Sequence, residues 1–181
     1  MFYLDTQTNK RYYLSTPFTY NGYFYGTVNA NHETFTSLGF TQVTVSERPD
    51  ERFYNVSDVN DDGTYTSTAR DLTELKNFYK LEQKLTVHNT LRGTDWYVIR
   101  SYELSETPIP TEVVNHRAAF RAAGDARCAQ IDACTTVEEL EQLITATPTI
   151  YNEVTQTGDP NPDALSQWPS SEGNFSSYDT Y

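Results

Sequence analysis

The residues best suited to chemistry are three histidines (His32, His88, His116), two cysteines (Cys128, Cys134) and one run of alternating acids, and their spacing decides what they can do. The histidines are scattered, and none has a second His or Cys at metal-ligand spacing. His116 neighbours Arg117, so its use as an acid or base would depend on partners from distant parts of the chain. Cys128 and Cys134 stand six apart on sequence that reads as helix. They project from different faces, which suits free, buried thiols in a reducing cytoplasm better than a disulfide. The acidic run, Asp58 to Thr64, matches the first half of a calcium loop, with Asp58, Asn60 and Asp62 at alternate positions and Gly63 at the sharp turn. The twelfth position, which needs a bidentate Glu, is Ala69. A solvated turn between two strands is therefore preferred to a calcium site at Asp58, Asn60 and Asp62. No GxSxG, phosphate loop, HExxH or CxxC occurs, so no catalytic residue and no cofactor are assigned.

A net charge of -12 disfavours a sequence-independent grip on nucleic acid, which needs clustered Lys and Arg. The apolar fraction is low at 37%, but 14 Tyr and 9 Phe restore area to bury. Aromatic-rich, Lys-poor sequence also suits surfaces that meet other subunits, because Tyr offers contact area with few rotamers to freeze. The start shows no basic segment followed by an apolar run, and no stretch is long and apolar enough for a membrane helix, so a soluble chain is expected.

The elements that must position these residues give an α+β reading. Residues 1–67 form a small N-terminal antiparallel β module. One hairpin pairs Phe2–Leu4 with Arg11–Leu14, and another closes on Asn21-Gly22, where both turn residues take positive φ. Asn31 caps a short helix ended by Gly39. The strand from Phe40 to Val45 has no wholly apolar face, which predicts an exposed or partner-facing strand.

Residues 68–147 read as helical. A long helix capped by Thr68 runs over 68–92, Thr94-Asp95 caps a short turn that buries Trp96, and shorter helices fall near 111–123, 125–133 and 136–145. Gly124 closes the first of these, and Thr136 with Glu139 makes a capping box for the last. The long helix carries an apolar stripe that drifts from Leu72/Leu75/Tyr79 to Phe78/Leu81/Leu85, and Glu82 and Thr86 spoil a strict heptad, so docking on its own sheet or on a neighbour is preferred to a continuous coiled coil.

Residues 148–181 contain four prolines and five acids without Lys or Arg, and predict an extended C-terminal tail. Its aromatics, Tyr151, Trp168, Phe175, Tyr178 and Tyr181, are expected to anchor along partner subunits. Deleting the tail is then expected to spare the fold and impair assembly.

The pattern Leu91-x-x-Thr94-Asp95-Trp96, a proline-containing spacer, then His116-Arg117-x-x-Phe120-Arg121 resembles the C-terminal segment of tailed-bacteriophage tail assembly chaperones. His116 stands where that family has Tyr. Asp95–Arg100, with Leu38–Val43 and Arg52–Tyr54, also looks like virion proteins of phages that infect cyanobacteria. The resemblance implies a non-enzymatic protein, either a structural part of the fibre or baseplate region or a fibre assembly chaperone. It implies other phage tail proteins as partners and a place in an oligomeric assembly of the virion tail made in the host cytoplasm, while the charge and the lack of a long apolar span speak for neither nucleic acid nor membrane as a partner. It further implies that Trp96 packs on Phe120 while Arg100, Arg117 and Arg121 offer donors to a partner or to local carboxylates. The alternative is a carbohydrate- or calcium-dependent binding module on the virion surface, using the Tyr-rich hairpins.

Overall fold

The computed structural model describes residues 1–152 and 157–170. Phe175, Tyr178 and Tyr181 lie outside the described residues. The chain divides into two compact units, Met1–Ala69 and Arg70–Tyr181, close to the change from strand to helical spacing read at Thr68. Strands dominate the first unit and helices the second, giving an α+β protein.

The first unit is built from hairpins. β1 (Phe2–Asp5) pairs antiparallel with β2 (Lys10–Tyr12). β3 (Phe18–Tyr20) and β4 (Tyr23–Tyr25) close on Asn21 and Gly22, at φ 48° and 80°. α1 (His32–Ser37) starts where the Asn31 side chain accepts the Thr34 N–H at 2.9 Å, and Gly39 at φ 80° ends it. The chain then returns as β5 (Thr41–Val43), which adds to β1 on the side opposite β2. Thr41 and Gln42 are exposed, as expected of this strand, and its pairing partner is the unit's own β1. Phe40 and Val43 are buried, because β5 completes the unit's own sheet.

Tyr3, Tyr12, Ala30, Phe35 and Phe40 form the core between sheet and helix, with ring stacking at 4.6 Å for Tyr3–Phe35 and 4.7 Å for Tyr12–Phe40. β6 (Tyr54–Val59) and β7 (Tyr65–Ala69) make a third hairpin, tied to β2 through a two-pronged contact of Arg11 with Asp61 at 2.7 and 2.9 Å. At Gly63, φ 86° and the Thr44 carbonyl only 2.3 Å from where a Cβ would stand both require glycine.

The second unit is a pair of long helices with shorter elements around them. α2 (Leu72–Arg92) is capped by Asp71, whose carboxylate accepts the Glu74 N–H at 2.8 Å. Thr68, expected as the cap, belongs instead to β7. α3 (Asp95–Glu103) replaces the short turn expected at Trp96. α4 runs unbroken from Thr111 to Ala133, where two helices divided at Gly124 were expected.

Gly124 is interior because it is a packing position rather than a stop. A Cβ there would stand 2.5 Å from Cγ2 of Val87 on α2, so glycine lets the two helices approach. Gly124→Ala should therefore destabilise the unit by about 1–2 kcal/mol, because overpacking outweighs the gain of about 1 kcal/mol in helix propensity. In a Val87→Ala background the sign should reverse, which urea denaturation of the double-mutant cycle measures.

α5 (Val137–Thr145) starts with Thr136 accepting the Glu139 N–H at 3.2 Å, while the Glu139 carboxylate takes the Thr135 N–H at 2.6 Å. After α5 the chain forms an antiparallel hairpin of β8 (Thr149–Asn152) and β9 (Thr157–Pro160). The described part of the acidic C-terminal region thus has structure of its own.

Candidate functional site

The loop between α2 and α3, where the phage-like pattern lies, is a joint held by Arg117. Arg117 on α4 donates to the Leu91 carbonyl at 2.9 Å and the Thr94 hydroxyl at 2.6 Å, and pairs with Asp95 at 2.9 Å. Thr94 is buried and also donates to the Leu91 carbonyl at 2.8 Å. The last turn of α2 leaves carbonyls without intrahelical partners, and a guanidinium satisfies them in both charge and geometry. Arg117 therefore works within its own chain. Arg100 and Arg121 are exposed, Arg100 lying over the Trp96 ring at 6.0 Å.

Trp96 and Phe120 do not share the contact expected of them. Trp96 packs on Tyr97 at 3.7 Å between ring centroids, whereas Phe120 meets His116 at 4.7 Å and Trp168 at 5.9 Å. The Trp96 indole N–H is buried with no acceptor among the described residues. Trp96→Phe keeps an apolar ring and removes that orphan donor, so it should stay within about 1 kcal/mol of the parent chain. Trp96→Ala should cost about 2 kcal/mol by lost packing. Equal costs in guanidinium denaturation would show that the N–H is satisfied in solution.

Trp168 organises a second cluster. Its ring stacks on Phe120 and lies 4.7 Å from the Arg127 guanidinium. Arg127 donates to the Gln83 side-chain oxygen at 2.8 Å and to the Ser166 carbonyl. The Ser166 N–H donates to the Gln130 side chain at 3.0 Å, the Leu165 N–H donates to the Leu143 carbonyl at 3.3 Å, and Ala164 is buried. Residues 164–168 thus form a strap across α4 and α5, where an extended path along neighbouring subunits was expected. Burial holds the Arg127 guanidinium below its usual pKa range. Tyr151 lies on β8.

Arg127 and Gln83 were not singled out from the sequence, yet a signal existed. Arg127 follows Val113 and Phe120 at seven-residue intervals, and Gln83 follows Leu75 and Tyr79 at four, so each falls on an inward stripe. Two polar residues on facing apolar stripes imply that they pair.

The other face of α2 is open. Phe78, Leu81 and Leu85 are 55%, 54% and 50% exposed, although the helix is well packed on its Leu75/Tyr79/Gln83/Leu91 side. On α3, Ile99 and Tyr102 are also exposed, Tyr102 to 90%.

In the first unit, a cleft of about 410 Å³ is lined by Tyr12, Tyr13, Phe18 and Phe24 with Lys10 and Arg11 at its wall. The candidate calcium residues Asp58, Asn60 and Asp62 do not line it. The Asp62 carboxylate accepts from the Thr64 N–H and hydroxyl at 2.9 and 2.7 Å, which holds its pKa below the usual carboxylate range. The Asn60 amide donates to the Thr64 and Thr66 hydroxyls, each at 3.2 Å. Asp58 is on β6, its carbonyl accepting from Ser57.

Among the described residues, no three His, Cys, Asp or Glu side chains gather as a metal would require, and no helix is long and apolar enough to cross a membrane. The histidines are spread over α1, α2 and α4, His32 accepting from the Tyr3 hydroxyl or donating to it. Cys128, half-buried, and Cys134, buried, are unpaired, and burial pushes the Cys134 thiol up. Comparison with family models, curated proteins and solved structures finds no match to this chain.

Proposed function

We propose that this chain is a non-enzymatic protein of a tailed-phage tail, working by protein–protein contact as a component of the fibre or baseplate region or as an assembly chaperone for it. The observation that carries the contact role is the open apolar face of α2, Phe78, Leu81 and Leu85, on a helix whose other side is already packed. Large apolar side chains clustered on one helix face cost free energy in water unless a partner covers them. The phage assignment rests on the Thr94-Asp95-Trp96 pattern and its Arg117-x-x-Phe120-Arg121 sequel.

Mass spectrometry of purified virions separates the two forms. Stoichiometric presence supports the structural component. Absence from virions with cross-links to fibre or baseplate subunits during assembly supports the chaperone, and absence from both overturns the proposal.

The cleft in the first unit favours a second reading, a carbohydrate-binding module. Phe24 is 73% exposed and Tyr13 48%, so two rings border a cavity large enough for a small ligand. If this reading holds, Tyr13→Ala with Phe24→Ala abolishes glycan-array binding of the intact chain without lowering Tm. Calcium is not needed for it, because the cleft is lined by aromatic and basic residues and none of Asp58, Asn60 and Asp62 borders it. Tm should therefore be unmoved by calcium or EDTA, and a rise with calcium would show a site formed by rearrangement of the loop.

A further inference from the structure

Along the outer face of α2, the exposed residues at alternating three- and four-residue steps begin with Asp71 and Glu74, continue with Phe78, Leu81 and Leu85, and end with His88 and Arg92. Three apolar residues therefore occupy the middle of a seam about 30 Å long, with acids at one end and a base at the other. Acids at the N-terminus and Arg92 at the C-terminus also suit the helix's own dipole. That effect does not explain the apolar centre, which needs a covering surface.

We infer that the partner on this face is a second copy of α2, packed antiparallel about a two-fold axis at Leu81. In that arrangement Leu81 meets its own copy, Phe78 meets Leu85, Glu74 meets His88, and Asp71 meets Arg92, each contact occurring twice. A parallel pair would set Glu74 against Glu74 and Arg92 against Arg92, and lose both complementary ends. A two-fold interface is self-complementary, which this distribution satisfies about its midpoint. The spacing is that of one heptad of a coiled-coil seam, and knobs-into-holes packing accommodates it. One like-charged approach opposes it: Glu82 nears its own copy beside the axis, at the solvent rim where water and salt weaken the repulsion.

With a single apolar heptad per helix the contact is small, so the dimer is weak and reversible. It deepens the protein-contact reading and rests on the same face, but it is tested separately.

The experiment uses the full chain. Sedimentation velocity up to about 0.5 mM should show concentration-dependent dimerisation, and Leu81→Glu should raise the half-dimerisation concentration at least about tenfold. Because Leu81 is half exposed, that variant should keep the parent's circular dichroism and Tm. Orientation is read by mixing Phe78→Cys chains with Leu85→Cys chains under mild oxidation, with the parent chain as control. Antiparallel pairing joins Phe78→Cys to Leu85→Cys and leaves either variant alone uncross-linked. Cross-linking of each variant with itself indicates parallel pairing and overturns the inference, as does a monomer throughout. A monomer would leave the virion test above free to support a different protein partner.

Discussion

Phe35→Ala should unfold most of the first unit, costing about 3–5 kcal/mol. Phe35 is fully buried and is the ring around which the others assemble, 4.6 Å from Tyr3, 5.1 Å from Phe18, 6.0 Å from Phe40 and 6.2 Å from Tyr12. Alanine leaves a cavity that aromatic neighbours, rigid and two-dimensional, fill badly. Domains of this kind have stabilities of roughly 0.05–0.15 kcal/mol per residue, so the loss is comparable to the whole stability of the unit. The near-UV circular dichroism of the stacked tyrosines should collapse while the helical signal of the second unit survives. Phe35→Leu, which refills part of the volume, should recover much of the signal. A cost below about 1 kcal/mol for Phe35→Ala would show that the aromatic core is not what holds the hairpins together.

Trp168→Ala should be the most damaging change in the second unit outside its helix core, at about 2–4 kcal/mol. Three contributions are lost together: the stack on Phe120, the ring beneath the Arg127 guanidinium, and the cover that lets Arg127 bond Gln83 and Ser166 in partial burial. Arg127 is then left with a weaker set of partners and more water. Amide exchange should speed up at Leu165 and Ser166, whose N–H groups are held by Leu143 and Gln130. Deleting residues 148–181 should destabilise the unit at least as much, contrary to what a free tail implies. Unchanged denaturation of Trp168→Ala, with unchanged exchange, would mean that the strap does not pack on α4 and α5 in solution.

These two residues show what was legible in the sequence and what was not. The hairpins were readable because Asn21-Gly22 has one good conformational use, and the α1 and α5 caps because Asn31, Thr136 and Glu139 satisfy donors next to them in sequence. Such signals are local. Gly124 misled because glycine after an apolar helix normally means a stop, and its actual role depends on Val87, which sequence proximity does not reveal.

The partner of β5 was hidden for the same reason, since it pairs with β1 across the whole α1 excursion. The region beyond Pro148 read as a tail because its composition lacks the apolar density for a core of its own. Its described residues Ser166 and Trp168 pack by borrowing Phe120, Arg127 and Gln130 from α4. Of the expected partner-binding or packing residues, Arg117 and Trp168 make contacts within the chain. Phe78, Leu81 and Leu85 read as the drifting end of a single apolar stripe, and only the structure shows that they stay open on a separate face.

The most direct test of a contact role for the second unit is lysine-directed cross-linking in assembled tails, read by mass spectrometry. Lys84 lies on α2 next to Leu85 and is exposed. The expected result is an abundant link from Lys84 to a neighbouring chain, weakened by Leu81→Glu. Lys84 joined only within its own chain, in particles that contain the protein stoichiometrically, would contradict the claim that this face binds a partner.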